Sequence, residues 1–584
     1  MPPLIRPDKS VAFDNEEKAD CLADSLETQC SPSSQPVDPI HVAKVDDEVT
    51  RRTSLPPVDD PDSPLPPVTP DEVLDIVKRL KTRKAPGSDG IKNRVFQLFP
   101  APLIMLMTAI FNCALANNMF PQVWKQAIVI GIPKPGKPKA SPSSYRPMSL
   151  LNVFGKIYEL IYKRLKDYVE AKSLIPDEQF GFRSEHSCVQ QVHRIVEQVS
   201  AGFQRGSMTG ALFFDIAKAF DKVWHNSLIY KLYQLGVPDR LVLIIRDFLS
   251  NRTFRYRIEG ALSSPRPIRA GVPQGGVLSP LLFTLFTSNI PKSKSAKLAL
   301  FADDTAIYYT GRSRDNIAKA LQTSANALGA WFRKWRIEVN PDKSQAILFT
   351  KPHSRQAPFP RPITMYGKPI PWEKRAKYLG VILDEHLNFS EHIRTVRSRA
   401  AFATGRLHSL LNPRSKLSFK GKLRIYTACI RPIMTYACAV FAHVKPYRLH
   451  RMQTLQNRFL RRAKDAPYYV RNERLHLDLK IPTVQQFMKR ITVRFFASAE
   501  KHSNPLIVSA ARYTASRISK IRRPRLTLTT PDDPITVLQE SSRETSTIRK
   551  YKLRRPSFRP RRRGPRNRGN SPTPTLARQS QPAC

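Results

Sequence analysis

Acidic side chains are scarce in this 584-residue chain: 47 Asp and Glu stand against 96 Lys and Arg, a formal net charge of +49. That excess is more than a small acidic substrate needs, and it favours a polyanionic partner whose phosphates release counterions on binding. Glycine is also scarce, 22 against 51 Pro, so Pro-rich stretches are expected outside the folded parts. No CxxC pair occurs, and the seven Cys form an odd set, which argues against a disulfide framework and fits a reducing, intracellular compartment. No run of about 18 apolar residues appears. The N-terminus, MPPLIRPDKS, lacks a basic region followed by an apolar one, so neither membrane insertion nor secretion is expected. What is present is 41% hydrophobic residues, enough for several folded domains.

The charge is unevenly spread. Residues 1–70 hold 14 acids against 6 bases and end in SLPPVDDPDSPLPPVTP, which reads as an acidic Pro-rich linker over 1–68. Between Arg549 and Arg568 eleven Lys and Arg occur without an acid, and 506–584 is expected to be a disordered basic tail. Folding starts near Thr69: TPDEVLDIVKRLK predicts a helix capped by Thr69, with Pro70 at its first position, acids in its first turn and cations in its last. PLIMLMTAIFNCALANN then predicts a buried helix, and WKQAIVIGIPKPG a short strand closed by a basic loop. Helix and strand alternate to about residue 384. From about 391 to 500 long helical patterning with many Arg predicts a basic helical domain. No internal repeat is found.

Two acidic sites carry the chemistry. In ALFFDIAKAFDKVWH an apolar run, Ala211 to Phe214, delivers Asp215 at its end; in KLALFADDTAIYYTG two strand-like runs flank Asp303 and Asp304, which predicts a hairpin with the acids at its tight connection. Taken singly, each reads as an ordinary turn or cap residue. An acidic doublet between hydrophobic strands is electrostatically costly, and Mg²⁺, held by one or two carboxylates and substrate phosphates, is the simplest remedy. Strand alternation makes Asp303 the safer ligand, with Asp304 joining if the turn redirects it. Between these sites AGVPQGGVLSPLLF is a Gly-rich turn entering an apolar helix; Gly275 and Gly276 let backbone approach a nucleotide or template, and Gln274 offers amide groups.

The order of motifs resembles the reverse transcriptases of non-LTR retrotransposons, most like the jockey-type mobile elements of arthropods. The likeness spans roughly residues 70–500. It rests on KAPGSDGI (84–91), IPKPGKPKASPSSYRPMSLLNVFGKIYE (132–159), EQFGFRSEHS (178–187), FFDIAKAFDKVWH (213–225), GVPQGGVLSPLLF (271–283), FADD (301–304), VNPDKSQAILF (339–349) and KYLGVILD (377–384). The resemblance implies an α+β, right-hand polymerase: fingers and palm over 69–390, with fingers from about 84 to 210 and a primer-gripping element at Tyr378 to Leu383, and a basic helical thumb over 391–505, with disordered N- and C-terminal extensions. It implies an RNA-directed DNA polymerase copying element RNA into cDNA. Asp215 and Asp303 would bind two Mg²⁺ ions, or Mn²⁺ in their place, with Asp304 assisting. Lys134 and Arg146 match positions that contact the incoming triphosphate, Arg146 where YRPMSLL joins a loop to a helix. Phe220 stands at the sugar-gate position, excluding the 2′-hydroxyl, and Lys343 resembles a lysine that neutralises departing pyrophosphate. Gln274 and Gly275 would line the nucleotide site. Partners implied are an RNA template, a DNA primer or target, dNTPs and the element's own nucleic-acid-binding protein, in cytoplasm and nucleus.

Three departures qualify the resemblance. Nothing like the endonuclease that usually opens such elements precedes the acidic segment, no RNase H acid set follows the thumb, and SEHSC at 184–188 differs from the Pro-Gly-His-Ser/Thr pattern common after GFR. Cys429, Cys438, His443 and His450 fit no structural zinc spacing. A non-catalytic nucleic-acid-binding remnant is the competing reading, opposed by the three acids, which phosphate binding alone would not maintain amid positive charge. A group II intron or telomerase type of enzyme is weaker still, because the segments after KYLGVILD look retrotransposon-like.

Overall fold

The computed structural model describes residues 1–32, 38–57, 65–158, 160–351, 359–513 and 523–529. It is a mixed helix and sheet structure. Nine strands position the site: β1 Gln126–Pro133, β2 Tyr145–Leu151, β3 Met208–Ile216, β4 Arg252–Ile258, β5 Lys297–Phe301, β6 Asp304–Gly311, β7 Val339–Phe349, β8 Arg375–Tyr378 and β9 Val381–Asp384. The central sheet runs β7-β3-β6-β5, all antiparallel, with the short strand Trp372–Glu373 added parallel to β7. Its period-2 alternation sends Leu212 and Phe214 into one core and Ala211 and Phe213 into another. Both faces are therefore covered, which is why β3 reads as a continuous apolar run.

A second sheet places β2, β1 and β4 side by side, β1 antiparallel to β2 and parallel to β4. The helix Asn15–Gln29 packs against it, Ala19, Leu22, Ala23 and Leu26 joining Val129, Tyr145, Phe254 and Tyr256. Within the stretch expected to be a linker, 1–68, this part is helical, while 33–37 and 58–64 lie outside the described residues. Averaged composition hid an amphipathic helix of i, i+3, i+4, i+7 spacing, capped by Asp14, which accepts from Glu17 N at 2.7 Å. Its acids find cations far downstream: Arg266 lies 2.7 Å from Asp24 and 3.6 Å from Glu27. The helix Pro39–Ser54 likewise buries Val45 and Val49 in the main core.

The helix Pro70–Arg79 forms as the sequence predicts, Thr69 accepting from Glu72 N at 3.3 Å with Pro70 at its start. The apolar helix Ala101–Ala116 is only partly buried, since Met105 and Leu106 are 62% and 56% exposed. Apolar residues all round predict burial, yet among the described residues nothing covers that face. Beyond β9 the described chain is helical, from Ser390–Arg406 through Pro446–Lys464 to Val484–Ala499. Within the stretch expected to be a disordered tail, Pro505–Ala511 and Leu526–Thr529 are helical; Arg549 to Arg568 lie outside the described residues.

Candidate active site

The hairpin β5–β6 turns through Ala302 and Asp303 alone, because Phe301 and Asp304 are paired across it. Ala302 takes φ +56, a left-handed conformation that a residue with a Cβ adopts at a cost. The segment Gln179–Gly181 holds it there. The Gln179 side-chain oxygen accepts from Ala302 N at 3.0 Å and Gly181 N at 2.8 Å, while Phe180 N donates to Leu300 O at 2.9 Å. A Cβ on Gly181 would lie 2.2 Å from Ala302 N, so only glycine fits.

Asp215, next to last in β3, lies opposite Asn340 of β7, and its N–H donates to the Ser344 hydroxyl at 3.2 Å. Thr305 faces Phe214 across the β3–β6 pair, so the next rung brings Asp304 beside Asp215. Alternation therefore gives Asp304, rather than Asp303, the face of Asp215; Asp303 sits in the turn, where strand alternation no longer applies. The structure brings all three acids to one end of the sheet. Each reaches solvent, yet protein around the cleft raises Asp303, with Asp215 adding to the effect. Burial and the charges of Asp303 and Asp215 push Asp304 up to about 6 against the pull of Lys377. Among the described residues no three His, Cys, Asp or Glu close into a preformed metal cage. An open set of hard oxygens suits Mg²⁺, whose shell is completed by water and phosphate.

Two of the predicted cations, Arg146 and Lys134, lie in or next to the second sheet. Arg146 of β2 pairs with Ile132 of β1, two residues before Lys134, whose Nζ donates to Ser143 O at 2.7 Å. Burial, then Arg146, depresses Lys134, with Lys343 contributing and Asp221 opposing. Lys343 stands on the irregularity in β7 between Asn340 and Gln345, next to the Ser344 that holds Asp215 N. It thus adjoins both groups. The helix-start expectation for Arg146 is corrected: YRPMSLL is strand, and Pro147 is tolerated because β2 lies at the sheet edge.

Gln274 is less free than the sequence suggests. Its side chain donates to the nearly buried Asp221 at 2.7 Å, and its carbonyl accepts from Ser149 N at 3.0 Å, docking the Gly-rich turn on β2. Gly275 takes φ +116, where a Cβ would lie 3.1 Å from Ser149 O. Phe220 stacks on Phe283, ring centroids 4.8 Å apart, with the exposed Phe182 edge-on at 5.8 Å. Tyr378 of β8 packs on Phe213 at 4.9 Å, tying the β8–β9 hairpin to β3. Sequence reasoning passed over Gln179, Gly181, Lys218, Asp221 and Ser344, although each lies inside a quoted motif. Burial and Lys222 depress Lys218, which enlarges the cation cluster.

The family model described as reverse transcriptase (RNA-dependent DNA polymerase) matches residues 132–383, the stretch that holds every one of these groups. Residues 132–383 are a reverse transcriptase domain. The chain is similar to the probable RNA-directed DNA polymerase from transposon BS of Drosophila melanogaster, at 35% identity over 86% of this chain and 56% of that one. It is 36% identical to the probable RNA-directed DNA polymerase from transposon X-element of the same organism, over 82% and 53%. It is 34% identical to the RNA-directed DNA polymerase from mobile element jockey, also of Drosophila melanogaster, over 79% and 51%. The chain spans about half the length of the curated relatives it matches. The likeness to jockey-like elements thus extends well beyond the reverse transcriptase domain itself.

Proposed function

We propose that this chain is an RNA-directed DNA polymerase of a jockey-like non-LTR retrotransposon, extending a DNA primer along element RNA with dNTPs. The observation that carries the reading is the convergence of Asp215, Asp303 and Asp304 at one sheet end, beside a separate cluster of cations. Those carboxylates would hold two Mg²⁺ ions, which supply activation of the primer hydroxyl and charge stabilisation on the phosphates. Their mutual repulsion supports the fit, since a divalent cation relieves it. Lys134 and Arg146 would bind the triphosphate, and Lys343, adjoining both groups, would neutralise the leaving pyrophosphate. Phe220, backed by Phe283, would close the pocket against a ribose 2′-hydroxyl. Gln274, fixed by Asp221, and Gly275 would set the turn against the nucleotide.

In this reading residues 69–390 are fingers and palm, 391–505 a helical thumb, and Tyr378 to Leu383 grips the primer. The enzyme would work in cytoplasm and nucleus as a ribonucleoprotein, with the element's own nucleic-acid-binding protein. A non-catalytic remnant is not favoured, because all three acids are retained within a positively charged chain. Primer extension on poly(rA)/oligo(dT) tests the proposal. Incorporation of dTTP is expected with Mg²⁺ and none with EDTA; absence of Mg²⁺-dependent incorporation by the folded chain would overturn it.

A further inference from the structure

A second concentration of cations and aromatic rings lies in the helical C-terminal part. The helix Pro446–Lys464 carries six Lys and Arg and no acid. Its buried side, which includes Leu449, Met452, Phe459 and Leu460, follows helical spacing and turns Arg451, Arg458 and Arg462 outward. Intervals of seven and four put these three on one face, a row about 16 Å long at the helical rise. None of the three pairs with an acid among the described residues.

Asp465, at φ 55, ends the helix, and the next residues form a loop held from within by Arg461. That guanidinium donates to Pro467 O at 3.0 Å, to Val470 O, and to Asn472 Oδ1 at 3.0 Å. The loop presents Tyr468 and Tyr469 at 92% and 72% exposure, edge to face with centroids 5.7 Å apart, and Arg471 follows them. A single exposed Tyr is unremarkable on a protein surface. Two adjacent ones, on a loop whose backbone carbonyls are pinned by the Arg461 guanidinium and which follows a row of unpaired arginines in the chain, are another matter. Such a loop loses little freedom when a ring stacks on it, and stacking rings beside cations match bases beside phosphates. An apolar protein surface would satisfy the tyrosines and leave the arginines uncompensated.

We infer that the Pro467–Val470 loop and the Arg451, Arg458, Arg462 row form a holding site for single-stranded RNA, Tyr468 and Tyr469 stacking bases while the arginines follow the phosphates. The choice of RNA over DNA rests on the polymerase reading; the stacking site itself does not. The test titrates the full chain into labelled mixed-sequence RNA, with no primer or dNTP, so it reports independently of whether the chain polymerises.

Tyr468→Ala with Tyr469→Ala is expected to weaken binding about 30-fold or more, as loss of two base–aromatic stacks predicts, and the Phe pair to retain it. RNA carrying abasic sites should be indifferent to the Ala pair. Arg451→Gln, Arg458→Gln and Arg462→Gln together should lower the slope of log affinity against log salt by about 2. With 4-thiouridine RNA, crosslinks are expected at residues 468 and 469. Equal weakening of abasic and intact RNA by the Ala pair, or crosslinks confined to 132–383, would overturn the site. Tighter Tyr-dependent retention of single-stranded DNA than of RNA would overturn the assignment of the strand, and a peptide or vesicle competing equally well would point to a different class of partner.

Discussion

The carboxylates at the end of the central sheet and the cations gathered beside them are both crowded, but crowding is built differently in the two places. Asp215, Asp303 and Asp304 are short side chains fixed by strand ends and a two-residue turn, itself pinned by Gln179 and Gly181. Their backbone positions are set close together, and Asp304 is pushed up to about 6. Lys134 and Lys218 are long side chains depressed by burial, with Arg146 adding to the effect on the first and Lys222 on the second, and Lys134 Nζ donates to Ser143 O. Like charges raise the cost of each cluster, and under the proposed function the opposite halves of one ligand, a metal-bound triphosphate, would relieve both. A rigid cluster should respond to substitution all-or-none. A cluster of flexible arms should respond by degrees.

The rigid side provides the largest expected effect. Asp303→Asn keeps the turn and removes one charge; dNTP incorporation in primer extension should fall about a thousandfold or more, the scale of losing a metal ligand. RNA affinity, measured by filter binding, should stay within about twofold, since its main term is phosphate neutralisation elsewhere. Extension at the wild-type rate would remove the metal site. On the flexible side Arg146→Ala should raise KM for dNTP about 10- to 100-fold, the range for a charged hydrogen bond, with kcat changed less. Steady-state kinetics decide: a loss of kcat as complete as that of Asp303→Asn would erase the contrast between the clusters.

How far the sequence foretold these two regions differs in the same way. The acids were legible because short continuous apolar runs, Ala211 to Phe214 and the two flanking Asp303 and Asp304, report buried strands locally. Thr69 and Pro70 reported a helix start for the same reason. What holds the turn was not legible, because Gln179 reaches it from more than a hundred residues away in the chain. Asp221, which fixes Gln274, was hidden likewise. Pro147 disguised β2 as the approach to a helix, and an acid-rich average disguised the helix Asn15–Gln29, whose Asp24 and Glu27 pair with the distant Arg266. Local periodicity is written in adjacent residues; long-range clamps and charge pairs are not.

A residue held by neither cluster sharpens the comparison at smaller scale. Phe220 belongs to the turn after β3 and is held by stacking on Phe283, so its ring is positioned by packing rather than by charge. Phe220→Ala should raise the ratio of kcat/KM for rNTP to that for dNTP about 10- to 100-fold, the range by which a pocket wall rejects one extra group. Phe220→Tyr should leave the ratio unchanged within about twofold, since the ring remains. An unchanged ratio in the Ala variant would show that the ring is core packing alone.

The smallest effect tests the electrostatic asymmetry directly. A carboxyl raised from 3.8 in the unfolded chain to about 6 in the folded one binds more protons folded than unfolded between those values, so its contribution to stability falls as pH rises through that window. Below it both states are protonated and the penalty is absent; above it both are ionised and the penalty is complete. In EDTA, Asp304→Asn should therefore melt above the wild type at about pH 7 and converge with it near pH 4, by less than about 1 kcal/mol because Asp304 reaches solvent and is screened. Mg²⁺ should close the same gap in the wild type at pH 7, since bound cation removes the repulsion that the substitution removes. For the cation cluster the sign reverses: Lys134→Gln relieves repulsion among charges that alkali, not acid, would discharge, so its effect should be level from about pH 4 to 7. Thermal melts of the two variants in EDTA, at matched ionic strength, separate the cases. Parallel pH profiles would mean that the two clusters are not distinct in the way their geometry indicates.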